Sequence, residues 1–426
     1  MNLIVAKDIS DLYSVSEVLR PYTGIFLLAF FVSFLMTPLM RKVAIRYGIV
    51  DKPDLVRKTH TNVIAYLGGV AIFAGWVSGV LVCYFVVPHG HQDVGLTSVP
   101  FPWPIILGAG VITVTGVYDD IYSLSPRVKI GGQLIAGASL ANLTQVHMNQ
   151  RVMLGEKLVT DSWELFSRVV IGEPYVLYTG VAYVLGTILI AVFVVGACNA
   201  VNLVDGLDGL AAGICAIAIL GFLLIVVYIP TNTHASNTAV DSVRVVMCLA
   251  SLGGVLGFLP YNFNPAKIFM GDAGSLLLGY LCITIIFMFS QSNQLNPIDL
   301  NPTGPYYVLA ALVIFSLPII DTAVAIIRRK VAGKSISEPD SNHIHHKLLR
   351  KFLGMGLGKR TSVKVSVLLM YGLSGIFMII GYGMIILNSM RLGLTIFACL
   401  FAVIGAVIYK SETAEPEKPT AEDKSQ

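Results

Sequence analysis

Residues 176–229 read VLYTGVAYVLGTILIAVFVVGACNAVNLVDGLDGLAAGICAIAILGFLLIVVYI. Two apolar runs, each long enough to cross about 30 Å of hydrocarbon as a helix, are joined by a connector that carries Asn199, Asn202, Asp205, Gly206, Asp208 and Gly209 and no basic residue. A simple turn would need only its glycines. Asp205 and Asp208, three apart, are expected to share a face of the first turn of the second helix, where free backbone N–H groups attract anions. The glycines let a ligand approach the backbone closely.

The same alternation of apolar runs and short polar breaks extends along the chain. Charged residues make up 13% of the 426, against roughly a quarter in soluble domains, and hydrophobic residues 55%. This composition predicts an all-α polytopic membrane protein. Spans are expected near 24–40, 63–87, 101–118, 128–142, 176–198, 208–229, 243–260, 274–290, 306–327, 364–388 and 392–409, eleven transmembrane helices in all. The run at 128–142 is rich in Gly and Ala, a composition suited to close helix packing. Residues 1–23 read as an extracytoplasmic segment, 24–409 as the integral membrane domain and 410–426, rich in Glu, Lys, Pro and Ser, as a disordered cytoplasmic tail. The first 20 residues carry Lys7, Asp8, Asp11, Glu17 and Arg20 without a continuous apolar core, so the first span is expected to act as the insertion signal. Six cysteines lie in or beside apolar runs without C-x-x-C spacing and read as small core residues. The alternating stretch within 143–175 is expected to form a small hairpin. No soluble domain of ordinary size remains, so any chemistry must sit on the loops.

Orientation follows from Lys and Arg. Loops after the odd-numbered spans, with the tail, hold most of the 29 basic residues, whereas 88–100, 230–242 and 291–305 hold none. The basic face should be cytoplasmic, with the N-terminus outside and the C-terminus inside.

Four polar clusters fall in loops of that one parity: Asp119-Asp120, the 199–208 connector, Gly271-Asp272-Ala273-Gly274, and His343-Ile344-His345-His346. Adjacent carboxylates at a membrane surface can bind Mg²⁺ or supply a base whose pKa its neighbour raises; a solvated helix end is the plainer reading. Asp272 at a helix start could be only an N-cap, but the preceding Asn264, Lys267 and Phe269 suit a nucleotide-diphosphate cradle. Three histidines in four residues suggest phosphate binding, proton transfer or metal ligation, with a charge-binding role the better fit to a phosphorylated substrate. Asp321, inside the ninth span, is a functional candidate or a structural partner for a neighbouring helix, the latter slightly ahead. Jointly the clusters offer carboxylates, amides, exposed backbone, Lys and His on one rim, which Mg²⁺-dependent chemistry on a nucleotide diphosphate requires. A membrane location implies that the other substrate is lipid-borne.

With these residues in hand, the chain closely resembles the bacterial polyprenyl-phosphate N-acetylhexosamine-1-phosphate transferases. The resemblance runs from about Arg41 to Lys364 and rests on VDKPD (50–54), Gly68-Gly69, Asp119-Asp120, NxxNxxDGLDGLAAG, FMGDAGS (269–275) and HIHH. It implies transfer of a sugar 1-phosphate from a UDP-N-acetylhexosamine to undecaprenyl phosphate in the bacterial cytoplasmic (inner) membrane, with UMP released and Mg²⁺, or Mn²⁺ in its place, as cofactor. By the same resemblance Asp272 and Asn202 are metal ligands, and Asp119 is the base or nucleophile, assisted by Asp120. Asn202 and Asp205 line the cleft, Asp208 and Phe269 meet the uracil, and His343, His345 and His346 lie near the sugar or diphosphate, while Asn199, Asn264 and Lys267 contribute substrate contacts. Direct attack and an aspartyl-phosphate route both stay open. The chain departs from the family pattern at Ser123, where a third Asp is frequent, at Ala65 and at Ser341. HIHH rather than HHH favours GlcNAc-type donors over UDP-MurNAc-pentapeptide. The competing readings are the muramoyl-pentapeptide phosphotransferase and, from another class, a transporter or flippase, against which the gathering of acids on one rim speaks. No nucleic-acid partner is expected, and a homodimer is left open.

Overall fold

In hydrocarbon every backbone N–H and C=O must be satisfied within the segment, so the apolar runs fold as helices. The computed structural model describes residues 13–51, 63–85, 102–152, 174–232, 238–290, 303–331 and 343–389, with a few isolated positions besides. The helices are α1 (Val15–Leu19), α2 (Thr23–Tyr47), α3 (Gly68–Phe85), α4 (Trp103–Tyr122), α5 (Pro126–Val152), α6 (Pro174–Val204) and α7 (Leu210–Asn232). They continue with α8 (Thr238–Asn262), α9 (Gly271–Met288), α10 (Thr303–Ile314), α11 (Ser316–Val331), α12 (Ile344–Gly354) and α13 (Lys359–Ile386).

Among the described residues, α2, α4, α6, α7, α8, α9 and α13 supply seven stretches long and apolar enough to cross a membrane, and α10 with α11 form a pair bent by 71°, a broken span or a re-entrant loop. The break has a local cause: Pro318 has no N–H to donate and its ring opposes the carbonyl four residues earlier, at Ile314. Of the remaining expected spans, α3 is a shorter apolar helix. Helix α5 occupies the fourth position and packs along α4 and α6. A Cβ on Gly137 would stand 2.7 Å from the Cα of Ala191, the close approach that its small residues permit. The span at 392–409 falls largely outside the described residues, as does the tail at 410–426.

The hairpin expected within 143–175 is not formed at its start: residues 143–152 continue α5 as helix, and 153–173 lie outside the described residues. An isolated two-stranded hairpin is marginal in water, whereas a helix already held by packing extends at one backbone bond per residue.

Helix α9 is the hub, packing on α3, α4, α6 and α7. Apart from Asp272 all of its side chains are buried, which is why its sequence is apolar all round. Helix α2 instead exposes Leu27, Phe31, Leu35 and Leu39, an i, i+4 stripe of the kind that faces lipid. Gly48, at φ 72, ends α2 and returns its N–H to Ala44 and Ile45. The chain then enters β1 (Val50–Asp51), antiparallel to β2 (Ile64–Ala65). The rest of the VDKPD motif, 52–54, lies outside the described residues. Ala65 bridges to Ile268, so this small ribbon abuts the segment that leads into α9.

Candidate active site

The four clusters converge. Asp119 and Asp120 close α4, the 199–208 connector joins α6 to α7, Asp272 opens α9, and His343 precedes α12. Direct contacts link them across more than 200 residues of sequence, as the one-rim expectation required.

Asp272 occupies the second position of α9, whose N-cap is Met270 and whose start makes no side-chain cap of its own. The capping reading of Asp272 therefore fails, and its carboxylate turns to side chains of other helices. Oδ1 accepts from Asn202 Nδ2 at 2.8 Å, and Oδ2 is paired with the Lys129 ammonium. Asn202 also donates to Ser275 Oγ at 2.9 Å, which fixes its amide.

The cap of α9 comes from α4. Asp120 Oδ1 accepts the backbone N–H of Asp272 at 2.8 Å and Oδ2 that of Ala273 at 3.4 Å. These oxygens satisfy N–H groups that the start of a helix otherwise leaves without partners. Gly271 makes this fit possible: its φ of +66 suits glycine, and a Cβ would overlap the Asp120 carboxylate. On the other side Gly69 presses against Gly274, and the N–H groups of Gly68 and Gly69 bind the carbonyls of Phe269 and Met270 at 3.0 and 2.9 Å.

Asp119 stands beside Asp272. Its Oδ2 lies 3.1 Å from Lys129 Nζ, so one ammonium joins it to Asp272. Its Oδ1 accepts from Leu124 N at 3.0 Å, steadying the turn in which Ser123 takes a left-handed φ of 53. Ser123, standing where relatives often carry a third Asp, thus serves as the C-cap of α4.

Asp205 and Asp208 do not share a helical face, because α7 begins only at Leu210. Asp208 accepts from Asn264 Nδ2 at 2.8 Å and from Ala266 N at 2.9 Å, binding the connector to the loop before α9. Asp205 follows α6; burial, then the charges of Asp272 and Asp208, push its carboxyl up to about 7. Asn262 accepts from Gly209 N at 3.1 Å and Tyr371 Oη donates to Gly209 O at 2.5 Å, so the turn between Asp208 and α7 is held from both sides.

The histidine run is only half what the sequence suggested. His345 is fully buried, its ring 5.7 Å from His343 and 4.2 Å from His346, and neither ring nitrogen has a hydrogen-bond partner. A Cβ on Gly206 would overlap its Nε2, which places the ring against the Asp205 turn. Burial holds its pKa down at about 3, so His345 is neutral and is not a charged phosphate binder. The cation at this site is Lys129, a residue that sequence reasoning counted only in the tally of basic loops.

Three expected substrate residues stand elsewhere or partly so. Asn199 donates to Gln133 Oε1 at 2.8 Å and to Val195 O at 2.7 Å, tying α6 to α5 rather than joining the carboxylates. Lys267 is exposed, and its carbonyl accepts from Arg41 Nε at 3.0 Å. Phe269 lies 6.1 Å from the Tyr66 ring, forming an aromatic wall on the β2 side of the loop.

Among the described residues no three His, Cys, Asp or Glu side chains converge as a metal cage. Asp119 and Asp272 nevertheless close on one positive charge, with Asn202 on the inner carboxylate. That donor set fits Mg²⁺, which takes one or two carboxylates and keeps much of its water.

A family model described as glycosyl transferase family 4 matches residues 102–290, the segment containing all three acidic clusters. The chain is 34% identical over 380 residues, 88% of each chain, to a probable undecaprenyl-phosphate N-acetylglucosaminyl 1-phosphate transferase of Bacillus subtilis. It is 31% identical to a decaprenyl-phosphate N-acetylglucosaminephosphotransferase of Mycolicibacterium smegmatis, covering 78% of this chain and 76% of that one. To an undecaprenyl-phosphate alpha-N-acetylglucosaminyl 1-phosphate transferase of Yersinia pestis it is 28% identical, covering 76% of each. With relatives aligned along most of its length and the acidic clusters inside the matched segment, this chain belongs to glycosyl transferase family 4, among the bacterial polyprenyl-phosphate N-acetylhexosamine-1-phosphate transferases.

Proposed function

We propose that the protein transfers N-acetylglucosamine 1-phosphate from UDP-N-acetylglucosamine to undecaprenyl phosphate and releases UMP, as a membrane step of cell-envelope polysaccharide synthesis. The observation that carries the reading is the closure of Asp119, Asp272, Asn202 and Lys129 around one point at the start of α9. Helix N-terminus, ammonium and divalent cation all favour the charge that develops on a transferring phosphoryl group. In this reading eleven spans place the site on the cytoplasmic face of a bacterial inner membrane, where both substrates meet.

Asp272 and Asn202 would hold a Mg²⁺ ion. When bound, the ion neutralises diphosphate oxygens and the charge that builds on them. Asp119, beside the cleft, accepts the proton of the lipid phosphate or attacks the donor itself, and Lys129 lies within reach of both the attacking and the transferring group. Asp208, already accepting from Asn264 and Ala266, marks the edge at which the uracil would bind. The histidine run closes the sugar end with neutral imidazole at His345.

Purified protein supplied with undecaprenyl phosphate and each radiolabelled donor in turn tests the substrate. Lipid product is expected from UDP-N-acetylglucosamine; product from UDP-MurNAc-pentapeptide alone would replace this reading with the peptidoglycan one.

A further inference from the structure

Asp321 takes no part in the chemistry above, yet it is 1% exposed and makes two bonds. It sits on α11, just beyond the break at Pro318. Its Oδ2 lies 2.8 Å from His343 Nδ1, and its Oδ1 accepts the backbone N–H of Ile344 at 3.0 Å. Ile344 is the first residue of α12, and the N-cap residue His343 provides no side-chain bond to that helix. An uncapped helix start in a buried setting leaves unsatisfied N–H groups. Asp321, 23 residues upstream of Ile344, supplies the missing acceptor and a negative charge at the positive end of α12.

The second bond determines what His343 presents. A carboxylate can only accept, so Nδ1 carries a proton and donates to Asp321, which holds the ring in one orientation. His343 is also 97% buried and stacks on His345 at 13° between ring planes, and His345 lies against Gly206 beside Asp205. The path from Asp321 to the acidic connector is therefore a continuous run of contacts.

We propose that Asp321 is a positioning residue for the donor: it caps α12 and anchors the His343 ring through Nδ1, so that the histidine run is set in place before substrate arrives. The donor half rests on the transferase reading; the capping half does not. Carboxylates that orient metal-ligating histidines change affinity or activity by about 10- to 100-fold when removed, and an effect of that order is expected at His343.

The experiment uses the full-length protein in lipid nanodiscs with Asp321→Ala and Asp321→Asn. Hydrogen exchange of peptides covering 344–349, measured without substrate, should speed up about 10-fold in Asp321→Ala and stay near wild type in Asp321→Asn, whose amide oxygen can still accept from Ile344. In steady-state assays both variants should raise the KM for UDP-N-acetylglucosamine about 10-fold or more and leave the KM for undecaprenyl phosphate within twofold. Should Asp321→Ala not fold, Asp321→Asn carries the test. Unchanged exchange in Asp321→Ala, or an unchanged donor KM in Asp321→Asn, overturns the proposal. A wild type that makes no lipid product would remove the transferase reading and leave the exchange measurement to decide the cap.

Discussion

The carboxylate of Asp120 accepts the backbone N–H of Asp272 at 2.8 Å, so one member of the Asp119-Asp120 pair holds the helix on which the cleft carboxylate stands. The two neighbours thus have different duties. Asp119→Asn should lower kcat by about 10³-fold with little change in melting temperature, because its bonds to Lys129 and Leu124 lie at the edge of the fold. Asp120→Ala should cost roughly 1–2 kcal/mol or more of stability, the loss of a cap beside a buried helix start. Thermal unfolding of the two variants beside their rates checks the split, and equal melting temperatures would contradict it.

Lys129 neutralises Asp119 and Asp272 together. Removing its ammonium leaves two carboxylates facing each other, so Lys129→Met in EDTA should melt roughly 5 °C below wild type. Mg²⁺ should then raise the melting temperature of Lys129→Met more than that of wild type, since the ion enters a place where the ammonium no longer competes. Identical Mg²⁺ shifts in the two proteins would show that the ion binds elsewhere. Removal of the ion by EDTA should also abolish turnover, restored by Mg²⁺ or Mn²⁺.

The Asp205 carboxyl, raised to about 7 by burial and by Asp272 and Asp208, gives a pH signature. A carboxyl whose folded pKa is raised stabilises the fold while protonated, and that stability is lost as pH rises from about 4 through about 7. Asp205→Asn removes the titration. In metal-free buffer, the melting temperature of the variant minus that of wild type should therefore increase from pH 5 to pH 8. A difference independent of pH would mean that Asp205 titrates normally.

Gly69→Ala places a methyl group on the backbone of Gly274, where neither helix can yield without pulling α3 from α9. Destabilisation of roughly 3 kcal/mol or more is expected, with loss of activity that Mg²⁺ does not restore. Gly131→Ala, which meets nothing within 4 Å, is the control and should be neutral.

The parts of this site legible in the sequence were those written in composition and parity. Apolar runs predicted the helices, and the polar breaks between them marked Asp119, Asp205, Asp272 and the histidines as one group. What the sequence could not supply were pairings across distance. Lys129 read only as one more basic residue, at the edge of an expected span, because nothing local signals that α5 brings it between Asp119 and Asp272. Asp321 read as a buried charge awaiting a partner, and the partner proved to be the histidine run itself. The three histidines read as a basic cluster because exposure was assumed; burial makes His345 neutral. Asn199 looked equivalent to Asn202, yet one turn earlier on α6 its amide meets Gln133 of α5, whereas that of Asn202 meets Asp272. Residues 143–152 continue α5 instead of opening the expected hairpin, because alternation over a few residues does not outweigh a helix already held by packing.

The most direct test follows the phosphorus. Protein in nanodiscs is given undecaprenyl phosphate, Mg²⁺ and UDP-N-acetylglucosamine labelled in its β-phosphate, and the organic phase is counted. The label should enter the lipid in step with UMP release, depend on Mg²⁺, and fall by at least about 10³-fold in Asp119→Asn and Asp272→Asn. Label that stays in water, or lipid labelling that survives both substitutions, would contradict a transferase site built from Asp119 and Asp272.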